Sequence, residues 1–211
     1  MYAIAETFLS VQGEGRQAGQ AAFFIRFHGC NLVCNFGNGF VCDDDAHVSK
    51  PISELTALDL VIQARKAGTH NIVLTGGEVS LDPNISKLIR YFRHEGYFVA
   101  VETNGVKIER LLDANLITYS PKIGFARKAR QISYDDYLSL GHSGNIELKL
   151  LAGEHHHVDT GRWDSYALKY VQAIGNAHTF DDANMKYCVD FVTHNPEWYL
   201  STQLQKLYKV D

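Results

Sequence analysis

The chain has 211 residues, of which 45% are hydrophobic and 21% are charged, and its formal net charge is −4. These values are typical of a soluble globular protein, and the length is enough for a single domain over residues 1–211. The net charge argues against the strongly basic surface of proteins that bind nucleic acid avidly. No apolar run reaches the roughly 20 residues of a membrane helix, and the first residues resemble neither a signal nor a transit peptide. We therefore expect a cytoplasmic protein.

Short apolar runs alternate with amphipathic stretches along the chain, which predicts six buried strands and four helices. In chain order these are strand 22–27, helix 54–67 with Ser53 as its cap, strand 71–74, helix 85–94, strand 97–101, helix 107–114, strands 116–119, 146–150 and 168–172, and helix 182–193. The alternation predicts an α/β fold with a parallel sheet covered by helices. Because six strands are too few for a closed eight-stranded barrel, we expect a partial, open β/α barrel.

Polar motifs directly follow several of the predicted strands. They are Thr75-Gly76-Gly77-Glu78, Glu102-Thr103-Asn104-Gly105, Ser120-Pro121-Lys122 and, at the end of the last strand, Gln172. The carboxyl ends of parallel strands lie at one edge of a sheet, where ligands bind in open α/β sheets and in barrels. The sequence therefore predicts an active site at this edge.

Three of the four cysteines, Cys30, Cys34 and Cys42, lie within thirteen residues of one another. Thiolates are soft ligands that suit zinc or iron–sulfur clusters, and clustered cysteines in a reducing compartment indicate metal binding or catalysis more often than disulfides. A structural zinc site needs a fourth ligand, for which His28 and His47 are candidates. The residues alone leave open an iron–sulfur cluster, a zinc ion and no metal.

Two other features of the sequence indicate structural roles. Cys188 shares a helical stripe with Met185, Phe191 and Val192, which predicts a buried core thiol. The run His155-His156-His157 follows Gly153-Glu154, and we expect a solvated loop there rather than a metal site.

Taken together, the motifs resemble a known family. The cysteine loop, the Gly-Gly-Glu turn and the partial barrel resemble the radical S-adenosylmethionine (SAM) enzymes, and more narrowly the 7-carboxy-7-deazaguanine synthases. The similar segments are residues 6–15 with Gln12-Gly13-Glu14-Gly15, residues 24–32 up to the first cysteines, residues 74–78, 102–105 and 120–122, and residues 195–203. The resemblance therefore runs nearly from end to end.

The resemblance implies roles for individual residues. Cys30, Cys34 and Cys42 would hold a 4Fe-4S cluster whose fourth iron binds SAM, and Asp44 would bind Mg²⁺. SAM would contact Val41, Asp43, Gly77, Glu78, Glu102, Ser120, Pro121, Lys122 and Gln172. The substrate would contact Val11, Gln12, Gly13, Glu14, Arg26, Thr75 and Asp211. Arg26 suits a carboxylate, because a guanidinium can donate two parallel hydrogen bonds to it.

The resemblance also implies an activity, that of a carbon–nitrogen lyase. The substrate would be 6-carboxy-5,6,7,8-tetrahydropterin, which loses ammonia and contracts to 7-carboxy-7-deazaguanine in queuosine-type 7-deazapurine biosynthesis. A reduced cluster would give one electron to SAM, and the resulting radical would take a hydrogen from C6 of the pterin, with Mg²⁺ acting as a Lewis acid in the rearrangement. An electron donor such as flavodoxin or ferredoxin, and a homodimer, are implied in the same way.

The chain departs from the family pattern at several positions. The spacing Cys-x3-Cys-x7-Cys places five additional residues before Cys42, Asp44 takes the place of a Thr, Ala173 that of a Pro, Gln205 that of a His, and Asp211 that of a terminal Pro. Two alternatives stay open: an activase that generates a glycyl radical on another protein, and a non-enzymatic module stabilised by zinc. The Gln-Gly-Glu-Gly motif together with Arg26 favours the pterin site over the activase.

Overall fold

The computed structural model describes residues 1–37, 39–42, 53–141, 145–176 and 178–209, and only the backbone of Val41. Three of the predicted site residues, Asp43, Asp44 and Asp211, lie outside the described residues, as does His47. None of the helices within the described ranges combines the length and apolar character needed to cross a membrane.

Eleven strands and five α-helices form within the described residues. The strands are β1 (Tyr2–Val11), β2 (Ala21–Phe27), β3 (Asn35–Gly37), β4 (Phe40–Val41), β5 (Ser53–Leu55), β6 (Asn71–Gly76), β7 (Phe98–Thr103), β8 (Leu116–Tyr119), β9 (Ile146–Ala152), β10 (Lys169–Ala173) and β11 (Trp198–Ser201). The helices are α1 (Ala57–Ala67), α2 (Ile85–His94), α3 (Tyr134–Ser139), α4 (Asp182–His194) and α5 (Leu204–Tyr208). Short 3-10 turns cover Gly15–Gln17, Val79–Leu81, Ile108–Arg110 and Thr160–Arg162.

Nine of these strands form one sheet in the order β11-β10-β9-β8-β7-β6-β2-β1-β5. β2, β6, β7, β8, β9, β10 and β11 pair in parallel, whereas β1 runs antiparallel to both β2 and β5. The order among the described strands is linear, so the predicted partial, open β/α barrel is confirmed, with seven parallel strands where about six were expected. β3 and β4 form a separate hairpin between the second and third clustered cysteines.

All six predicted strands are present, and the sequence prediction lacks the short strands β3, β4 and β5 as well as β1 and β11 of the main sheet. Most residues of β1 are only partly buried and it contains Glu6 and Ser10, so no apolar run marks it. β11 has four residues, and Tyr199 within it is exposed. Both strands owe their conformation to pairing with the neighbouring strand rather than to a local pattern.

The predicted helix over residues 107–114 is wrong, since only the turn Ile108–Arg110 forms there. In this turn, backbone hydrogen bonds join residues three apart. The amide of Arg110 donates to the carbonyl of Lys107 (3.0 Å), and the amide of Leu111 donates to the carbonyl of Ile108 (2.9 Å). A helix of eight residues is marginal by itself. Here β8 begins at Leu116, only a few residues after the turn, which leaves little room for a longer helix.

Helix α1 begins three residues later than predicted. Ser53 is not its cap, because Ser53–Leu55 pairs with β1 as the edge strand β5. Thr56 is the cap instead: its Oγ1 accepts the amide of Asp59 (3.1 Å), and the Asp59 carboxylate accepts the amide of Thr56 (2.8 Å). The helix ends at Gly68 with a φ of 73°, as the sequence predicts.

The main core lies between one face of the sheet and helices that include α1, α2 and α4. Cys188 of α4 is fully buried in it, and burial raises the pKa of its thiol to about 12. Met185, Phe191 and Val192 pack against the same core. The prediction that Cys188 is a core thiol is therefore confirmed.

Replacement of Thr56 by alanine tests the observed helix start. We expect Thr56→Ala to lower the free energy of unfolding by about 1 kcal/mol, because the side-chain acceptor for the Asp59 amide is lost. Ser53→Ala, at the position that the sequence predicts as the cap, should change it by less than about 0.5 kcal/mol, since Ser53 is exposed. Urea denaturation measures both. A larger loss in Ser53→Ala than in Thr56→Ala would contradict this helix start.

Candidate active site

A cavity of about 740 Å³ lies inside the open barrel and reaches the carboxyl ends of the parallel strands. The polar motifs predicted to share this edge contribute Thr75, Gly76, Gly77, Glu102, Thr103, Asn104, Ser120, Lys122 and Gln172 to its wall. Mid-strand side chains such as Phe24 and Val73 also line it. The predicted convergence of these motifs is therefore observed, and the cavity also extends along the inner face of the sheet.

Most of the predicted site residues meet in this cavity. Those that line it are Val11, Gln12, Gly13, Glu14, Arg26, Cys30, Cys34, Cys42, Thr75, Gly77, Glu102, Ser120, Lys122 and Gln172. Glu78 and Pro121 are buried next to it and do not line it. The remaining predicted positions, Asp43, Asp44 and Asp211, lie outside the described residues, and no side chain is described for Val41.

The three clustered cysteines lie at one part of the cavity wall, in a small apolar cluster with Leu32 and Phe36. Cys34 is buried, and Cys30 and Cys42 are partly exposed. Burial raises the pKa of the thiols of Cys30 and Cys34. A metal that binds them therefore has to displace their protons.

The three cysteines supply thiolate donors on one side of the cavity. Within the described ranges, no three His, Cys, Asp or Glu side chains converge closely enough to hold one metal ion. Cysteines that bind an iron–sulfur cluster each hold a different iron, so their sulfur atoms stand further apart than the ligands of one zinc ion. Three thiols on one cavity wall therefore fit the donor set of a 4Fe-4S cluster.

The turn after β6 lies directly against the start of the cysteine loop. The amide of Gly77 donates to the carbonyl of Phe27 (3.0 Å), and the amide of Glu78 donates to that of Gly29 (2.8 Å). A Cβ on Gly77 would overlap the carbonyl oxygen of Gly29. Only glycine allows this approach, so the Gly-Gly-Glu motif sets where the loop that carries Cys30 begins.

The carboxylate of Glu78 is buried in a network of the chain's own donors. It accepts hydrogen bonds from the amide of Ser80 (3.1 Å), the hydroxyl of Thr103 (2.6 Å) and the amide of Asn104 (2.6 Å). Asn104 in turn donates to the side chain of Asn31 in the cysteine loop (3.0 Å). The structure thus gives Glu78 a positioning role between two strand ends. Its contact with SAM stays a prediction.

The loop after β1 reaches across to the far strands of the sheet. Because β1 is antiparallel to β2, Val11 lies beside Ala21 at the amino end of β2 rather than at the carboxyl edge. The amide of Gly15 donates to Ser201 Oγ of β11 (3.2 Å), and the amide of Arg16 donates to the Glu147 carboxylate of β9 (3.3 Å). Gln12, Gly13 and Glu14 are thereby placed on the cavity wall.

A buried ion cluster joins this loop to the sheet. The ammonium of Lys149 on β9 pairs with the carboxylate of Glu14 and, at 2.8 Å, with that of Glu102 on β7. Gln203 also donates to Glu14 (2.8 Å). The Lys149 side chain is only 6% exposed, so this cation and its partners lie in a site where electrostatic interactions are strong.

The three charges of this cluster affect each other's proton affinity. Burial raises the pKa of Glu14, but the Lys149 charge and the hydrogen bonds from Lys149, Gln203 and Gln205 outweigh it and lower that pKa to about 2. At Glu102 burial prevails over Lys149, and the pKa is raised. Burial lowers the pKa of Lys149, but the two carboxylates outweigh it and raise that pKa overall. Glu14 and Lys149 are therefore both charged at neutral pH.

The sequence analysis missed Lys149 and its neighbour Glu147. The signal that could have found them is their spacing in the predicted strand over residues 146–150. Two charged residues at alternate positions lie on the same face of a strand. In an otherwise apolar run, such a pair indicates a polar cavity on that face. Lys149 lines the cavity, and Glu147 accepts the Thr118 hydroxyl at 2.8 Å.

Arg26 lies on the wall formed by β1, β2 and β6. Its Nε donates to the Glu6 carboxylate (2.7 Å), and its guanidinium carbon is 5.6 Å from the centre of the Phe8 ring. These two contacts fix the plane of the guanidinium at the cavity surface. The contact of Arg26 with a substrate carboxylate stays a prediction.

Comparison with known proteins identifies the family. The model of the radical SAM superfamily matches residues 24–139, which is more than half of the chain. A 7-carboxy-7-deazaguanine synthase from Haemophilus influenzae is 31% identical, and the alignment covers 99% of this chain and 93% of that protein. The chain belongs to the 7-carboxy-7-deazaguanine synthase family. A family member from Bacteroides thetaiotaomicron is 30% identical, and the alignment covers 100% of this chain and 99% of that protein.

The family membership agrees with the fold. The crystal structure of QueE from Escherichia coli superimposes with a TM-score of 0.68 over 96% of this chain and 93% of that one, at 21% sequence identity. The crystal structure of SuiB from Streptococcus suis bound to S-adenosylmethionine shares the fold more distantly, with a TM-score of 0.53 over 82% of this chain and 48% of that one, at 15% sequence identity. The open, largely parallel sheet described above is thus the radical SAM fold.

The sequence leads us to expect five additional residues between Cys34 and Cys42 relative to the family pattern. The hairpin of β3 and β4 lies in this segment. His156 packs against this hairpin, with its Nε2 at 2.6 Å from the carbonyl oxygen of Phe36. The expected solvated loop is therefore observed at His155 and His157, which are exposed, whereas His156 is half-buried against the hairpin.

Replacement of Lys149 tests the buried ion cluster. In Lys149→Met, Glu14 and Glu102 lose their cation, and we expect a loss of about 3 kcal/mol in the free energy of unfolding at pH 7. Burial then raises both carboxyl pKa values above those of the unfolded chain. The penalty is therefore present at neutral pH and shrinks as the pH falls through these values.

Urea denaturation at pH 7 and at pH 4.5 measures this change. The double variant Lys149→Met/Glu102→Gln is the control, because it removes one of the two uncompensated carboxylates and should recover part of the stability. An equal loss at both pH values would contradict an electrostatic origin.

Proposed function

We propose that the protein is a radical SAM lyase that converts 6-carboxy-5,6,7,8-tetrahydropterin into 7-carboxy-7-deazaguanine and ammonia, a step of queuosine-type 7-deazapurine biosynthesis. The observation that carries the proposal is that three cysteines and the Gln12-Gly13-Glu14 segment line one and the same cavity. Membership of the 7-carboxy-7-deazaguanine synthase family supports the reaction. The cavity volume of about 740 Å³ suits small-molecule ligands.

The cofactor end of this cavity is built by the strand ends. Cys30, Cys34 and Cys42 would hold a 4Fe-4S cluster, and SAM would bind near Gly77, Glu78, Glu102, Ser120, Pro121, Lys122 and Gln172, with Val41 and Asp43 next to them. When bound, cluster and SAM supply a one-electron cleavage that starts radical chemistry. Lys122 Nζ donates to Ser120 Oγ (2.7 Å), so this pair is ordered before any ligand arrives.

The substrate end carries opposite charges on two walls. Glu14, held ionised by Lys149, can accept hydrogen bonds from the N–H groups of a pterin. Arg26, fixed by Glu6, can bind the substrate carboxylate. Gln12, Gly13, Val11, Thr75 and Asp211 complete the proposed substrate contacts. A ligand with donors at one end and a carboxylate at the other is thereby oriented in one direction, which brings its reacting carbon to a defined place.

The alternatives from the sequence analysis are less favoured. An activase of glycyl-radical type would share the cysteine loop, but the full-length relatives are 7-carboxy-7-deazaguanine synthases. A zinc-stabilised module would require converging ligands, and the described residues provide no set of three for one ion. A cytoplasmic location, an electron donor such as flavodoxin or ferredoxin, and a homodimer are further proposals that rest on the family resemblance.

Anaerobic reconstitution with iron and sulfide, followed by reduction and addition of SAM and the pterin, tests the function. We expect a brown protein with about four irons per chain and release of 7-carboxy-7-deazaguanine, detected by mass spectrometry. Cys34→Ala and Cys42→Ala should lose both. Cys188→Ala is the matched control and should keep both, since this thiol is buried in the core away from the cavity.

The outcomes of this experiment are distinct. A full cluster and cleavage of SAM without any deazaguanine would overturn the proposed substrate. A colourless protein that binds one zinc would overturn the radical chemistry as well. A full cluster in Cys34→Ala would show that Cys34 is not a ligand.

We also propose that Asp44 binds the Mg²⁺ that assists the rearrangement, because a carboxylate is a stronger ligand for a hard cation than the hydroxyl found in the family. Asp44→Ala should raise the Mg²⁺ concentration for half-maximal product formation about tenfold or more and leave the iron content unchanged. Asp45→Ala, the adjacent change in the same acidic run, should shift it far less. Equal shifts in both variants would indicate a general charge effect and refute a specific ligand.

A further inference from the structure

In the segment that lengthens the cysteine loop, β3 and β4 pair as a hairpin. In it, Asn35 pairs with Val41 and Gly37 pairs with Phe40. Gly37 and Gly39 have φ values of 78° and 83°, in the region that favours glycine. Seven residues between two cysteine ligands have more conformational freedom than two, so ordering them before the ligands bind requires additional contacts.

Those contacts come from two residues far along the chain, Phe125 and His156. The amide of Asn35 donates to the carbonyl of Phe125 (3.0 Å), and the rings of Phe36 and Phe125 meet edge to face at 5.1 Å between centres. The His156 ring lies 4.9 Å from the Phe125 ring, and its Nε2–H donates to the carbonyl of Phe36 at 2.6 Å. Phe125 and His156 therefore hold the hairpin both by hydrogen bonds to its backbone and by a contact with the Phe36 ring.

The backbone of His156 is held by hydrogen bonds within its turn and by contacts of the turn with α4. It lies in the turn after β9, where Gly153 and His156 exchange two backbone hydrogen bonds of 3.1 and 3.0 Å. The side chain of Asn184 on α4 accepts the amide of Glu154 in this turn (3.0 Å). A Cβ on Gly153 would overlap the Asn184 side chain, so turn and helix are in close contact. The position of His156 is thus set by the barrel and not by the loop that it contacts.

The hairpin transmits this position to the cysteines. Phe36, 6% exposed, packs in one apolar cluster with Cys34, Leu32 and Ile174, and Cys42 lies at the margin of the same cluster. A displacement of Phe36 therefore moves the backbone that connects two of the three thiols.

We propose that His156 is a positioning residue for the enlarged cysteine loop: its hydrogen bond to the Phe36 carbonyl and its contact with Phe125 hold the hairpin so that Cys34 and Cys42 stand ready to bind the cluster. The role of the cluster rests on the proposed function. The clamp itself is a property of the protein without metal and can be measured there.

The test compares three variants in the metal-free protein. His156→Leu keeps an apolar side chain and removes the donor, His156→Gln retains an N–H donor at a similar reach, and His155→Leu makes the same change at the exposed neighbour. We expect His156→Leu to accelerate amide hydrogen exchange in residues 35–37 and 39–41 and alkylation of Cys34 by about fivefold, the effect of one lost hydrogen bond. His156→Gln should restore most of the protection, and His155→Leu should match the parent protein.

The reconstituted protein provides a second readout. We expect His156→Leu to lose iron to a chelator about fivefold faster than the parent and His156→Gln to lie close to the parent, with the spectrum of the reduced cluster changed only in His156→Leu. If His156→Leu fails to fold, Phe125→Leu replaces it, because it removes the ring contacts and leaves the histidine in place.

The inference is overturned if His156→Leu matches the parent protein in exchange, alkylation and iron loss, or if His156→Gln is as impaired as His156→Leu. These outcomes are separate from those of the proposed function. Failure of every variant and of the parent to bind a cluster would refute the function, whereas exchange and alkylation of the metal-free protein would still decide the role of His156.

Discussion

The ion cluster of Lys149 with Glu14 and Glu102 is the interaction on which the closed wall of the cavity depends. A partial barrel leaves a gap between its first and last strands, and the loop after β1 spans it. The loop is bound to β9 by charge, through Lys149 and Glu14, and to β9 and β11 by backbone bonds to Glu147 and Ser201. Burying three charges is unfavourable unless each is paired. The arrangement is therefore better explained by a need for charge in the cavity than by stability alone.

A further buried carboxylate, that of Glu78, organises the strand ends next to the cysteine side of the cavity. It collects two backbone amides and one hydroxyl, and hydrogen bonds to an ionised acceptor are among the strongest that a protein forms. Through Asn104 and Asn31 this network reaches the cysteine loop, and through Gly77 the backbone of the same turn touches Gly29. The start of the loop that carries the cysteines is thus held by contacts with β6 and β7. The part of the loop after Cys34 needs contacts from other segments.

The sequence predicted the architecture well where local pattern and burial coincide. The apolar runs at β6, β8 and β10 mark strands that are covered on both sides, and the helix over residues 85–94 was predicted with its observed bounds. The pattern failed where pairing overrides propensity. β1 is only partly buried, and residues 53–55 became an edge strand because β1 was there to pair with them. The sequence of neither strand indicates by itself that the other will pair with it.

The same division holds for the site. The sequence by itself determined the chemistry that this chain offers: the three clustered cysteines, the glycines that permit close backbone approach, and the motifs that end the parallel strands, because each depends on residue type and short spacing. Only the tertiary structure decided which of these meet, and which partners complete them. Lys149 joins Glu14 across 135 residues, and His156 contacts Phe36 across 120. The physical reason is that an ion pair or a hydrogen bond between distant segments depends on how the sheet brings them together, and no local pattern in the chain encodes that distance.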